Sequence, residues 1–432
     1  MARLHPLRGV RYNPEHVRLG GVLAPPYDVI SPARREELYG RDLRNIVRID
    51  FGMPYPDDVA GRRDVYTRAA EHLRSWIDLG ILVRDEQPAL YLVAHEFETP
   101  EGEPRRRLGL LGRVPARPWA SSEVRPHELT LRGPKQDRLA LMRATRAQTS
   151  PVWLVWDSAP GLGSRLAEIA TGEALLGGRY DGELGKEKVL VWRIAGEALL
   201  GELDALLAPS TLYIADGHHR FETMAAYAAE RRAAGDAEDA DSQFALVYAS
   251  AADDPALVVL PIHRMLRPRP GLPASGVELW ERLDAAWELE PVADPVAALP
   301  ALAERRAAEH TYVLVAPDGA AVLRRPRGAP GSRRDGLDVA VLQAEVIAGC
   351  GIGEAELREG ALAYTRNPAE TVEAVRSGDA ALAFLVAPCT VQDVMGVAGA
   401  GENMPQKSTY FYPKVPTGLV LSLLGARPGS RS

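Results

Sequence analysis

Short apolar runs alternate with amphipathic stretches along most of the chain. "ALYLVAHEF", "PVWLVW", "TLYIA", "FALVYASA", "TYVLVA" and "AALAFLVAP" are each the length of a strand and rich in aromatic and β-branched residues, the signature of buried strands. Between them lie segments of helical period. Val65, Ala69, Leu73, Trp76 and Ile77 predict a helix over Asp64–Leu79 with Gly80 beyond its end. Ser31 followed by Pro32 is an N-cap with proline at the first helical position, and Gly40 reads as that helix's stop. "ALYLVAHEFETPEGEPRRRLGLLGRV" predicts a hairpin over a Pro/Gly turn, and Asp318-Gly319 signals a second. Further helices are expected at Gln136–Arg146, after Gly217 and closed by Gly235, at 295–310, and in "TVQDVMGVAGAG". "FALVYASAADDPALVVLPIHRML" is read as two strands paired with each other. The Pro/Gly-rich Arg267–Gly276 reads as a linker. No internal repeat is visible.

The alternation defines a mixed α/β (α+β) fold. Four regions follow from the breaks: an N-terminal α/β region at 1–150, a core at 151–266, a small α/β subdomain at 277–345, and a C-terminal region at 346–432. At 432 residues the chain exceeds one compact core.

Composition narrows the partners. With 51 Lys plus Arg against 58 Asp plus Glu, the formal charge of −7 argues against nonspecific nucleic-acid binding, which needs a basic face. Any anionic ligand must then be met by a local cluster of cations. Two cysteines, Cys350 and Cys389, are too few for a disulfide framework and lack metal-ligand spacing. The start carries no signal-peptide run, and no stretch reaches the roughly 18 apolar residues a membrane span needs. A cytoplasmic protein with no membrane partner is expected; oligomeric state is left open. Only five residues are lysine, and Lys135, Lys407 and Lys414 fall in polar loops.

The densest chemistry is "IADGHHRFET". A strand enters a turn at Gly217, and the following helix start leaves backbone N–H groups unpaired. Those donors and Arg220 would stabilise an anion. His218 and His219 can carry protons near neutral pH, and Asp216 can cap the helix, orient a histidine or hold a metal. A simple N-cap needs one polar residue, whereas this turn has four around one glycine. No HExxH or matching third ligand supports zinc. Arg220 is expected to face a solvent-filled site.

"MPQKSTYFYPK" gathers Lys407, Ser408, Thr409 and Lys414 beside three aromatics, groups suited to phosphate oxygens, although it is not a GxxxxGK[ST] loop. "RPHELTLRGPKQDR" supplies His127, Glu128, Thr130, Lys135, Asp137 and Arg138, enough for a general base and anion contacts. "APPYDVISP" adds Tyr27 and Asp28.

"PPYDVIS", "HELT" with a following "DR", "IADGHHRFET", "LPIHR" and "MPQKSTYFYPK" occur in that order, and the chain resembles the domain of unknown function 1015 family over nearly its full length. The Asp-Gly-His-His-Arg turn is similar to the phosphate-contacting turn of the ParB and sulfiredoxin-like superfamily, which includes free serine kinases. The resemblance implies a ParB/sulfiredoxin-like core with additional α/β subdomains. It further implies that Gly217, His219 and Arg220 hold a phosphoryl group, with Asp216 beside it as a metal or hydroxyl partner. The chain lacks sulfiredoxin's cysteine in the turn, and it lacks the basic balance and helix-turn-helix of ParB.

The expectation is a small-molecule phosphoryl-transfer enzyme, a phosphatase or kinase. Most concretely it would hydrolyse phosphoserine or exchange a phosphoryl group between serine and a nucleotide. Catalysis is assigned to Asp216, His218, His219, Arg220 and Glu128. Substrate and phosphate binding is assigned to Gly217, His127, Arg138, Lys407, Ser408, Thr409, Lys414, Asp28 and Tyr27. Mg²⁺ on Asp216 and a nucleotide, ADP or ATP, are the expected cofactors. The alternative is a ParB-like nucleotide-binding regulator or DNA-associated protein.

Overall fold

The computed structural model describes residues 2–128 and 132–425. The chain divides into two compact units. The first comprises residues 1–126, 130–258 and 413–432; the second comprises 127–129 and 259–412.

The first unit is built on an eight-stranded mixed sheet. Its strands are β1 (Leu90–Glu98), β2 (Pro104–Pro115), β3 (Val124–Arg125), β4 (Val152–Trp156), β5 (Leu176–Asp181), β6 (Lys186–Ile194), β7 (Leu212–Asp216) and β8 (Phe244–Ala251). They lie in the order β3-β7-β4-β8-β2-β1-β6-β5. β4 runs parallel to β8 and antiparallel to β7, which puts the C-terminal end of β7 beside the start of β4. All five residues of β4 are buried, as a continuous apolar run demands of a strand covered on both faces. The core gathers Leu92, Leu154, Ile214, Phe221, Met224 and Val247, all at most 1 % exposed.

Local chemistry sets the helices where the sequence predicts them. Helix α1 (Pro32–Arg41) starts at Ser31, whose side chain accepts from the Arg34 amide. Helix α2 (Val65–Asp78) starts in a capping box, Asp64 accepting from the Tyr66 and Thr67 amides while Thr67 accepts from the Asp64 amide. It buries Ala69, Leu73 and Trp76. Helix α3 (Arg132–Thr145) begins four residues before the expected Gln136, and helix α4 (His218–Ala233) follows β7 directly.

The second unit is an antiparallel six-stranded sheet of β9 (His263–Leu266), β10 (Glu288–Val292), β11 (Glu309–Ala316), β12 (Gly319–Pro326), β13 (Leu362–Thr365) and β14 (Leu382–Leu385). Their order is β10-β12-β11-β14-β9-β13. β11 and β12 form the hairpin predicted at Asp318-Gly319. Leu314, Leu342, Val346 and Phe384 lie in its core. Arg267–Gly276 joins β9 to elements of this same sheet.

One expectation fails. The strands read from 244–266 do not pair with each other: β8 pairs with β2 and β4, whereas β9 pairs with β13 and β14. Both runs are apolar enough to be central strands, and each finds two partners distant in sequence, so adjacency without a tight turn between them does not pair these two. Among the described residues no helix is long and apolar enough to cross a membrane.

Candidate functional site

β7 ends at Asp216, and the chain reverses through Gly217 at φ 96, ψ 31. That left-handed conformation favours glycine. A Cβ there would also stand 3.0 Å from the Arg220 guanidinium carbon. Gly217 is the N-cap of α4 and has no side chain to offer the first-turn amides, so the positive end of a 16-residue helix opens at the C-terminal end of β7.

Asp216 sits between two cations. Its Oδ1 accepts from Lys414 Nζ, although the two residues are 198 positions apart, and its Oδ2 accepts from Arg220 Nη2. Burial pushes the carboxyl upward, but Lys414 and Arg220, with His218 adding to them, overcome it and hold Asp216 far below the usual carboxylate range. Because each carboxylate oxygen already accepts from a cation, Mg²⁺ on Asp216 would have to displace Lys414 or Arg220. Asp216, so paired, does not fit the metal.

Arg220 does not face a solvent-filled site. It is 9 % exposed, and its Nη1 donates to Ser150 Oγ at 2.9 Å and to the Pro151 carbonyl. Its side chain folds back beneath the turn, tying α4 to the segment that enters β4. Burial opposes its charge, while Asp216, Asp28, Tyr27 and Asp50 keep it protonated. His218 is buried and His219 half-buried at the first two positions of α4.

Tyr27 and Arg138 form a second layer in the same unit. The Arg138 guanidinium lies 4.2 Å from the Tyr27 ring centroid, bonds Asp137 through Nε at 2.8 Å and donates to the Asp50 carbonyl. Burial and Asp28 push the Tyr27 phenol up to about 12 against the pull of Arg138 and Arg220. Asp28 itself is exposed. Lys135 pairs with Glu222 of α4 at 2.6 Å.

The other predicted residues belong to the second unit. The Lys407 amide donates to Glu128 Oε1 at 3.3 Å, His127 Nε2 lies 3.2 Å from Thr409 Oγ1, and Ser408 is buried with its hydroxyl on the Pro405 carbonyl. Lys407 holds φ 58, unusual for a residue with a Cβ, and its side chain is exposed. Thr130 lies outside the described residues.

Three supporting residues escaped sequence reasoning. Arg107, fully buried, stacks 3.9 Å from the Trp153 ring centroid. It donates to the Pro413 carbonyl at 3.0 Å, fixing the residue before Lys414. It also donates to His95 Nδ1 at 3.2 Å, and His95 Nε2 meets Glu187 at 2.7 Å. Within "PRRRLG" it reads as surface charge, and no local signal separates it from its neighbours. Ser150 holds Arg220 from a Thr-Ser-Pro stretch that reads as a strand entry. Arg264, from "LPIHR", is 3 % exposed and donates to the Lys407 carbonyl at 3.3 Å; the motif was the available signal.

Strand, left-handed turn and helix, with Lys414 and Arg220 both on Asp216, define a mixed α/β protein whose candidate site lies at the start of α4. The chain belongs to the family described as Protein of unknown function (DUF1015), whose model matches residues 4–342. No curated protein matches it. Among solved structures, a conserved hypothetical protein from Pyrococcus furiosus is 14% identical, covering 72% of this chain and 95% of its own at a TM-score of 0.37. A free serine kinase variant in complex with ADP is 14% identical, over 72% and 92%, at a TM-score of 0.38. SbnI from Staphylococcus aureus, truncated at its C-terminus, is 12% identical, over 72% and 87%, at a TM-score of 0.35.

Proposed function

We propose that the chain catalyses phosphoryl transfer on a small phosphorylated metabolite. The observation that carries this reading is the Asp216–Lys414 ion pair at the mouth of α4. A phosphoryl group seated at the helix start would compete with Asp216 for Lys414 and receive the first-turn amides of α4, and preorganised donors of this kind account for most of the rate enhancement in phosphoryl transfer. Arg220 acts from beneath, holding Asp216 and the turn in place. His218 or His219 moves the proton. The concrete substrates are phosphoserine, for hydrolysis, or serine with a nucleotide, for transfer.

The test follows ³¹P signals of phosphoserine, and of serine with ADP or ATP, each with and without Mg²⁺. Turnover is expected, and Lys414→Ala should lower it by about 10²–10³-fold, as loss of one preorganised donor does. Saturable nucleotide binding with no turnover of any substrate would favour a nucleotide-binding regulator instead.

A further inference from the structure

Asp50 belongs to no motif of the sequence, yet its carboxylate is 4 % exposed. Thr149 Oγ1 donates to its Oδ1, and among the described residues its Oδ2 has no hydrogen-bond partner. A buried carboxylate oxygen left so costs free energy unless something outside the chain donates to it. Asp50 lines a cavity of about 40 Å³ together with Tyr27, Arg138, Thr149, Ser150 and Arg220. About 10–15 Å³ on this scale admits one water, so there is room for a larger group.

The lining selects the occupant. A cation would face the guanidinium groups of Arg138 and Arg220. An anion would face Asp50. A neutral group with one O–H satisfies both sides, donating to Asp50 Oδ2 and accepting from the Ser150 hydroxyl, whose oxygen already accepts from Arg220 at 2.9 Å. Arg220 is common to the cavity and to the anion site, its Nη1 on Ser150 and its Nη2 on Asp216.

We propose that the cavity lined by Asp50, Ser150 and Arg138 binds the hydroxyl end of a small aliphatic alcohol. Its meaning for catalysis, as the seat of the alcohol that gives or receives the phosphoryl group, rests on the phosphoryl-transfer reading.

The test uses the full chain, with ethylene glycol as probe and the backbone amides of Thr149 and Ser150 followed by NMR. Saturable shifts are expected in the unmodified protein. Affinity should fall by about 10-fold or more in Asp50→Asn and in Ser150→Ala, the equivalent of one lost hydrogen bond to a buried partner. If Asp50→Asn fails to fold, Ser150→Ala decides alone. Unsaturable shifts, or equal affinity in the variants, would mean that the cavity holds water only and would overturn the proposal. Inorganic phosphate, titrated in parallel and read at the His218 and His219 amides, should bind Asp50→Asn normally and lose affinity in Lys414→Ala. Absent phosphate binding with intact glycol binding would sink the phosphoryl-transfer reading and leave the alcohol pocket standing.

Discussion

Arg220 is where local sequence and tertiary structure give different answers about the same side chain. Read from the turn alone it is a ligand-facing cation, and its removal should cost activity far more than stability. Its burial against Ser150, Pro151 and Asp216 reverses that ranking. Arg220→Ala should destabilise the protein by about 2–4 kcal/mol, since it removes the charge-assisted bonds to Ser150, Pro151 and Asp216 and leaves Lys414 as the one cation of the pair on that carboxylate. Gly217→Ala should cost roughly 1–2 kcal/mol for the left-handed backbone, so urea denaturation should rank Arg220→Ala as the more damaging. Asp216 adds a pH signature. Its folded carboxyl titrates below the unfolded one, so its contribution is complete above the ordinary aspartate range and is lost as pH falls through that range toward the depressed folded value. The stability gap between the natural protein and Asp216→Asn should therefore shrink on acidification below about pH 4, and a gap constant with pH would show that the ion pair is energetically idle. The strand–turn–helix at Asp216 and Gly217 was legible because turn chemistry is local, whereas the direction of the Arg220 side chain was not. Ser150, Arg107 and Asp50 were not, because each acts through partners about 70 to 300 positions away.

Strand β9 carries the clearest consequence at the scale of an element. His263 is fully buried, and its Nδ1 accepts from the Val386 amide at 3.2 Å, so the ring is held as the neutral Nε2–H tautomer. Burial, with Arg264 beside it, lowers its pKa to about 4. The unfolded chain takes up this proton at the ordinary histidine pKa and the folded chain only near pH 4. Stability is thus lost as pH falls between those values and is level below them. The loss due to this group is about 3 kcal/mol, and denaturant melts from pH 7 to 4.5 should be flatter in His263→Asn than in the natural protein. Element existence was readable wherever a period was strong: α1, α2 and the hairpins β1–β2 and β11–β12 fall where apolar spacing and caps put them. Pairing was readable only where a tight turn joins two strands; β8 and β9 show that apolar runs without one carry no record of their neighbours.

Across the whole molecule, the excess of acidic residues sets what the surface attracts. With a formal charge of −7, the chain should show no binding to random duplex DNA at physiological salt in a gel-shift at sub-micromolar protein. A shifted band would revive the DNA-associated alternative. The mixed α/β class was legible from alternation alone, whereas the path of the chain was not. The chain leaves the first unit at residue 258 and returns at residue 413, bringing Lys414 to Asp216 and Leu424 into the core.

That return path has a cost in time. Ribosomes make the chain from its N-terminus, so Asp216 and the sheet around it exist before the segment that completes them. About 150 residues separate departure from return, roughly 8–30 s of synthesis at about 5–20 residues per second. For that interval the nascent first unit holds Asp216 without its lysine and a core without Leu419–Leu424. Until residues 419–424 arrive, the apolar surface that they cover in the finished first unit stays exposed, and such surface is prone to aggregation.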